Sequence, residues 1–371
     1  MKIFYLANIR LPTERAHGYQ IMKTCQSLAE LGVEVCLVVP RRRNQLGDDA
    51  FGYYHLPRKF SIERIWSPDF FRVEWFLGAK LSFAFNRVAF FKRCIFLKLS
   101  KDAVIFSRDP ELVFLATLRG YKVFYNAHNF PDHPSFLLWL IKNSSGIVAN
   151  SSGTAEGFLK RRFRNVLVLP NAVDLAEFDS VPEDRQALRK ELSLPIGKPL
   201  AIYAGHLYGW KGAEIFLEAA ALRPEINFAI VGGMQKEIER FQGVADKKNL
   251  HNLFLVGHQP RHQIPRFLKS ADVLILPNVA TDQESFRYTS PLKLFEYLAS
   301  GRPIAAADLP SLREIVSEKE VRFFKSGDAH SLVLVIDVAV LSDSKAGRIL
   351  AEKYSWQEYG KKLCHFLFIQ S

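Results

Sequence analysis

A chain of 371 residues with 48% hydrophobic and 24% charged side chains is too long for one ordinary core and has the make-up of a globular protein of two domains. Its formal net charge of +12 sits entirely in the first half: residues 1–170 carry 25 Lys and Arg against 13 Asp and Glu, and residues 171–371 carry 25 against 25. A basic half without a recognition motif points to one domain facing an anionic partner and away from nucleic acid. Four scattered cysteines, Cys25, Cys36, Cys94 and Cys364, argue against a zinc site or disulfide framework and for a reducing compartment. The apolar run over 3–9 is too short for a signal peptide, and no run approaches a membrane span. The expected location is cytoplasmic.

Residues 2–9 read as a buried strand. Residues 18–31 read as a helix with Ile21, Leu28 and Leu31 on its apolar side and Gly32 at its end, and 33–39 as the next strand. Strands alternating with helices define an α/β class with a parallel sheet wound on both faces, whose ligands sit at the carboxyl ends of the strands. The loop over 10–17 lies at such an end, closed by His17 and Gly18. Gly18 either starts the helix or faces a ligand. A basic cluster, Arg41 to Arg43, follows the second strand. Residues 70–99 interleave Phe70, Phe71, Trp75, Phe76, Phe83, Phe85, Phe90, Phe91 and Phe96 with Arg72, Lys80, Arg87, Lys92, Arg93 and Lys98. Two readings stand: a basic amphipathic segment lying on an anionic membrane surface, or a helical hairpin whose aromatics fill the core while the lysines snorkel outward. Aromatic stripes fill cores more often than not. Strands over 103–107 and 122–126 come next. The second leads into Ala127-His128-Asn129 and sets His128 at a strand end. A lone histidine is usually structural, but this position suits one that orients a substrate or stabilises charge. Strands over 147–150 and 166–169 then run into Pro170-Asn171-Ala172-Val173-Asp174, a hinge between domains.

The pattern restarts with a strand over 200–204. The turn Gly205-His206-Leu207-Tyr208-Gly209-Trp210-Lys211-Gly212 and a helix over 213–222 follow. A glycine-rich strand-to-helix turn carrying a lysine cradles phosphate; the bland alternative is a plain βα turn. Strands over 228–231 and 253–257 end in Gly232-Gly233 and His258-Gln259, and 273–277 and 303–306 are two more. Before the last of these comes Ser290-Pro291-Leu292-Lys293-Leu294-Phe295-Glu296-Tyr297-Leu298-Ala299-Ser300-Gly301-Arg302-Pro303. Ser290 suits an N-cap and Pro291 the first helical position; Leu292, Phe295 and Leu298 share a face, and Gly301 stops the helix. The helix start around Lys293 is a ready anion site; the bland alternative, and the better one for this stretch taken alone, is an ordinary capped surface helix. Glu296, one turn on, can accept hydrogen bonds from sugar hydroxyls. A phosphate beside a hydroxyl-bearing ring describes a nucleotide. A final helix begins near Trp356.

The stretch over 290–303 resembles the donor-site helix of the retaining glycosyltransferases of family 4, which have the GT-B fold: two Rossmann-like parallel-sheet domains facing across a cleft. The resemblance runs over nearly the whole chain and is strongest in the second half. It implies an acceptor-binding domain over 1–170, a nucleotide-sugar-binding domain over 171–354 and a C-terminal helix, 355–371, returning to the first domain. Gly205, His206, Lys211, Gly232, His258, Ser290, Pro291, Leu292, Lys293 and Glu296 would then bind the donor, with Glu296 on the ribose. Lys211 and His128 would be catalytic, and His17 and Gly18 would face the acceptor. Two departures stand out. His206 replaces an arginine usual in the family, and Tyr288 stands where a glutamate eight residues before Glu296 is usual, with Asp282 and Glu284 nearby at other spacings. The implied activity is transfer of a sugar from a nucleotide diphosphate sugar to a lipid-linked or saccharide acceptor, as in polysaccharide assembly, without cofactor or metal. Residues 70–99 would make peripheral contact with the inner membrane face. The departures leave a second reading, a non-catalytic nucleotide-sugar-binding partner subunit. An NAD-dependent enzyme is set aside because no G-x-G-x-x-G follows the first strand.

Overall fold

The computed structural model describes residues 1–131, 133–207, 212–279 and 290–368. The chain divides into two units, Met1–Pro170 with Trp356–Ser371, and Asn171–Ser355. In the first, strands β1 (Lys2–Leu6), β2 (Glu34–Arg41), β3 (Ser61–Trp66), β4 (Val104–Ser107), β5 (Lys122–Ala127), β6 (Gly146–Ala149) and β7 (Val166–Val168) form one parallel sheet in the order β3-β2-β1-β4-β5-β6-β7. In the second, β8 (Leu200–Ala204), β9 (Asn227–Val231), β10 (Leu253–Gly257), β11 (Val273–Leu276), β12 (Ile304–Ala307) and β13 (Arg322–Phe324) form another, in the order β10-β9-β8-β11-β12-β13. Both orders are the doubly wound 3-2-1-4-5-6 pattern, which puts a switch point between the first and fourth strands, where ligands bind at the carboxyl ends.

The inner strands read as unbroken apolar runs because helices cover both faces of a parallel sheet. Every residue of β4, β8, β9, β11 and β12 is buried. Two strands escaped the sequence reading for the opposite reason. β3 lies at a sheet edge and carries the polar residues Ser61, Glu63 and Arg64, and β13 is an edge strand of three residues. The first strand is shorter than expected and ends at Leu6; the first helix starts earlier, at Ala16, and runs to Ala29. The last helix, Trp356–Phe368, packs within the first unit: the Trp356 ring lies 6.4 Å from Tyr19, and Phe366 lies 5.4 Å from Phe124.

The aromatic segment corrects the core reading. A 3-10 turn, Phe70–Val73, leads into the helix Glu74–Ile95, which breaks at Gly78 (φ 74°). Among its described residues this helix buries Ser82, Asn86, Phe90 and Cys94, four apart and half of them polar. Since that stripe faces inward, most of the aromatics must face out. Trp75 is 86% exposed, Phe76 76% and Phe96 79%, whereas Phe90 is fully buried.

Candidate functional site

In the first unit the carboxyl ends of β1, β4 and β5 gather a polar cluster. The Ser107 hydroxyl donates to the Leu6 carbonyl (2.8 Å) and accepts from the Asp109 N–H (3.0 Å), locking the ends of β4 and β1 together. The Asn8 N–H donates to Asp109 Oδ2 at 2.9 Å, and the Asn8 side chain accepts from Arg42 Nη2 at 2.7 Å. Burial pushes the Asp109 carboxyl up to about 6. Arg108 donates to the Tyr5 hydroxyl (3.0 Å) and to Gln20 Oε1 (3.2 Å), and Asn126 also donates to Tyr5 (3.1 Å).

His128 follows β5 as the sequence predicts. Its Nε2 is buried and, among the described residues, has no hydrogen-bond partner. Burial first, then the charges of Arg108 and His17, drive its pKa well below the ordinary value. His17, in the first turn of the first helix, is held at about 4 by burial, Arg108 and Arg15. The fold therefore brings His17, His128 and Arg108 into one electrostatic neighbourhood in which both imidazoles are neutral at pH 7. Gly18 has a packing cause. A Cβ there would lie 2.2 Å from the Tyr54 hydroxyl, which donates to the Thr13 carbonyl at 2.7 Å. Arg108 and Asp109 were missed in the sequence; their only signal was their place just after a short apolar strand.

In the second unit the turns after β8, β9 and β10 are stitched by backbone. The Gly205 N–H donates to the Val231 carbonyl (2.7 Å), and the Gly232 N–H donates to the Gly257 carbonyl (2.8 Å). His206 is half-buried, and its carbonyl accepts from the Tyr203 hydroxyl at 2.6 Å. His258 is exposed beside Gly257. The helix Leu292–Ser300 delivers Lys293 to the same place. Its Nζ donates to the Tyr203 hydroxyl at 2.6 Å and lies 3.9 Å from the centre of that ring. The ammonium passes over Gly205 so closely that a Cβ there would meet it at 2.2 Å. Only glycine leaves this space, so Gly205 and Lys293 form one feature.

The start of that helix differs from the expected cap. Pro291, not Ser290, occupies the N-cap position, and no side chain caps the helix. The Ser290 hydroxyl instead accepts from the Asn171 N–H at 3.0 Å, and the Asn171 amide also donates to the Ser290 carbonyl. A helix start without a side-chain cap presents its first N–H groups, those of Leu292 and Lys293 among them, to an outside acceptor. Glu296 is buried and pairs with Arg261 (2.7 Å), which lies also 3.8 Å from Glu177. Arg261 gave no sequence signal because it opens a 3-10 turn of only three residues, Arg261–Gln263, just beyond His258. Lys211, Tyr288, Asp282 and Glu284 lie outside the described residues. Among the described residues no three His, Cys, Asp or Glu side chains are grouped as metal ligands.

Backbone amides, an uncapped helix start, a lysine and a buried carboxylate at one set of strand ends can hold an anion beside a polyol. Residues 184–362 match the family model of glycosyl transferases group 1. A D-inositol 3-phosphate glycosyltransferase of Xylanimonas cellulosilytica is 26% identical over 239 residues, 59% of this chain and 55% of that protein. A putative teichuronic acid biosynthesis glycosyltransferase of Bacillus subtilis, TuaC, is 25% identical over 236 residues, 63% of this chain and 57% of that one. The aligned stretch thus spans a little over half of these relatives. Among solved structures, Anabaena Alr3699/HepE in complex with UDP superposes with a TM-score of 0.72 at 16% identity, covering 99% of both chains. The fold is GT-B, with two Rossmann-like parallel-sheet domains.

Proposed function

We propose that this protein is a retaining glycosyltransferase of the family 4 type. It would move a sugar from a nucleotide diphosphate sugar to a lipid-linked or saccharide acceptor in polysaccharide or glycolipid assembly, at the cytoplasmic membrane face and without a metal. The observation that carries the reading is the convergence of Gly205, Lys293 and the uncapped start of the helix Leu292–Ser300 at the β8–β11 switch point, within the stretch that matches the group 1 model.

In this reading the leaving diphosphate rests on the helix start, where aligned N–H groups carry partial positive charge. Lys293 and Lys211 supply the full charges. Glu296, held by Arg261 through one oxygen, has a second oxygen to accept from the ribose hydroxyls. Gly232, His206 and His258 belong to the turns that border the base and diphosphate. In the N-terminal unit the neutral His128 offers Nε2 as a hydrogen-bond partner for the transferred sugar, not as a general base, since its burial disfavours the imidazolium. His17 and Gly18 belong to the acceptor side. The exposed aromatics Trp75, Phe76 and Phe96 beside Lys80, Lys92, Arg93 and Lys98 support a face that meets anionic lipid. No described helix is long and apolar enough to cross a membrane.

The test is thermal unfolding with a panel of nucleoside diphosphates in chelator. Ligand at ~100 times its Kd stabilises by about 2.7 kcal/mol, on the order of a few degrees for a chain of this size. A shift with one base names the donor nucleotide. No shift with any of them overturns the donor site and favours the partner-subunit reading.

A further inference from the structure

The N-terminal unit holds a cavity of about 420 Å³ that no part of the donor chemistry uses. That is within the ~300–1,000 Å³ of small-molecule sites. Its walls are mostly apolar, with Val88 and Phe91 from the aromatic helix, Leu112 and Phe114 from the helix Pro110–Leu118 and Leu140 from the helix Ser135–Ile141, and they include the paired charges of Arg87 and Glu111. Asn8 and Asp109 line it at the carboxyl ends of β1 and β4, the switch point of this sheet. We propose that this cavity binds one hydrocarbon chain of a membrane lipid, with the head group at the Asn8 and Asp109 end and the tail running out beneath the aromatic helix.

Three observations favour that occupant. The wall continues into the exposed aromatic face. Phe114 lies 4.8 Å from Trp139, which stacks with Phe136 at 6.1 Å, and Phe136 is 66% exposed. A lipid chain entering from a bilayer therefore need not cross a polar surface. The surrounding helix carries exposed Lys80, Lys92 and Arg93, which complement anionic head groups. The Asn8 and Asp109 end is polar, with Asp109 accepting from the Asn8 N–H, and the charges of Arg87 and Glu111 on the wall are paired with each other. Such an end suits a hydroxyl-bearing head, and it adjoins Arg108, the neighbour of Asp109 in the chain. That the chain belongs to the sugar acceptor rests on the glycosyltransferase reading; that the cavity takes a hydrocarbon chain does not.

The experiment is calorimetric titration of the full-length protein with n-alcohols from hexanol to decanol, without nucleotide. Binding at one site per chain is expected, with affinity rising about fourfold per added methylene until the cavity is full. Val88→Trp, at a half-exposed position on the rim, fills the entrance and should weaken decanol binding at least tenfold. Ala84→Trp does the same from the preceding turn, so the outcome does not depend on one variant folding. Binding of either variant to vesicles of anionic phospholipid should persist, because Trp75 and Phe76 carry it. Alcohols that bind without saturation, or equally well to both variants, overturn the proposal. One-site alcohol binding without glycosylation of any lipid acceptor keeps the chain site and removes the acceptor assignment. Lipid glycosylation unaffected by variants that do lose alcohol binding leaves the glycosyltransferase and the chain site standing and removes the acceptor assignment.

Discussion

The two units share the 3-2-1-4-5-6 strand order, with a seventh strand in the first, but gather different kinds of groups at their switch points. At the β8–β11 switch point the contacts come from backbone: glycine turns, a helix start and one lysine laid over Gly205. At the β1–β4 switch point they come from side chains: Arg108, Asp109, His17 and His128, with Arg42 and Asn8 behind them. All of the net positive charge and the exposed aromatic helix belong to the first unit's part of the sequence. On the proposed function, a nucleotide diphosphate has the same polar outline in many enzymes, so backbone would suffice for it. Acceptors differ, and side chains on the same scaffold are the part that changes.

That contrast can be broken at several points. The largest effect is expected at Lys211. Lys211→Ala should lower turnover by roughly 10²–10³, the cost of removing one group that stabilises developing charge, and near-normal turnover would end its catalytic role. Glu296→Ala should weaken nucleotide diphosphate binding about ten- to a hundredfold, the worth of hydrogen bonds to a charged group, and titration calorimetry reads this directly. Unchanged affinity would remove Glu296 from the site. In the first unit, replacing Trp75 and Phe76 together by alanine should reduce binding to anionic vesicles on the order of tenfold without changing nucleotide affinity. Equal vesicle binding would leave the aromatics without that role.

The smallest effect is a pH dependence. His17, held at about 4, and His128, held well below 6.5, are neutral when folded and protonate near 6.5 when unfolded. As pH falls below 6.5 the unfolded chain takes up protons that the folded chain refuses, and stability falls by up to about 1.4 kcal/mol per pH unit for each histidine. Asp109 works the other way. Its folded carboxyl binds a proton near 6 that the unfolded one releases, so it offsets about one histidine between pH 6 and 4.5. The net slope in that window should be about one proton. His17→Asn with His128→Asn should reverse its sign, leaving Asp109 alone. Denaturant melts from pH 4.5 to 7 measure it; an unchanged slope would mean that neither imidazole is buried as described.

The α/β class, a division of the chain near Pro170 and most strands of both sheets were legible in the sequence. Buried parallel strands are apolar runs, and helix starts and stops carry Pro and Gly. Edge strands such as β3 were not, because one open side lets polar residues in. Local signals also singled out Gly205, Lys293 and Glu296, since turns and helix starts carry residue types set by backbone geometry, and the fold brings Lys293 over Gly205. The aromatic helix misled, because amphipathic spacing shows that a helix has two faces but not which one turns inward. Only packing decided that Ser82, Asn86, Phe90 and Cys94 lie inside and Trp75, Phe76, Phe83, Phe85 and Phe96 out. Tertiary structure likewise decided the partners. Ser290 met Asn171, Glu296 met Arg261, and Asp109 met Asn8 across 101 residues of chain. Sequence fixes what each residue can offer over the few neighbours its own element holds; which distant group accepts the offer depends on chain crossings that no local pattern encodes.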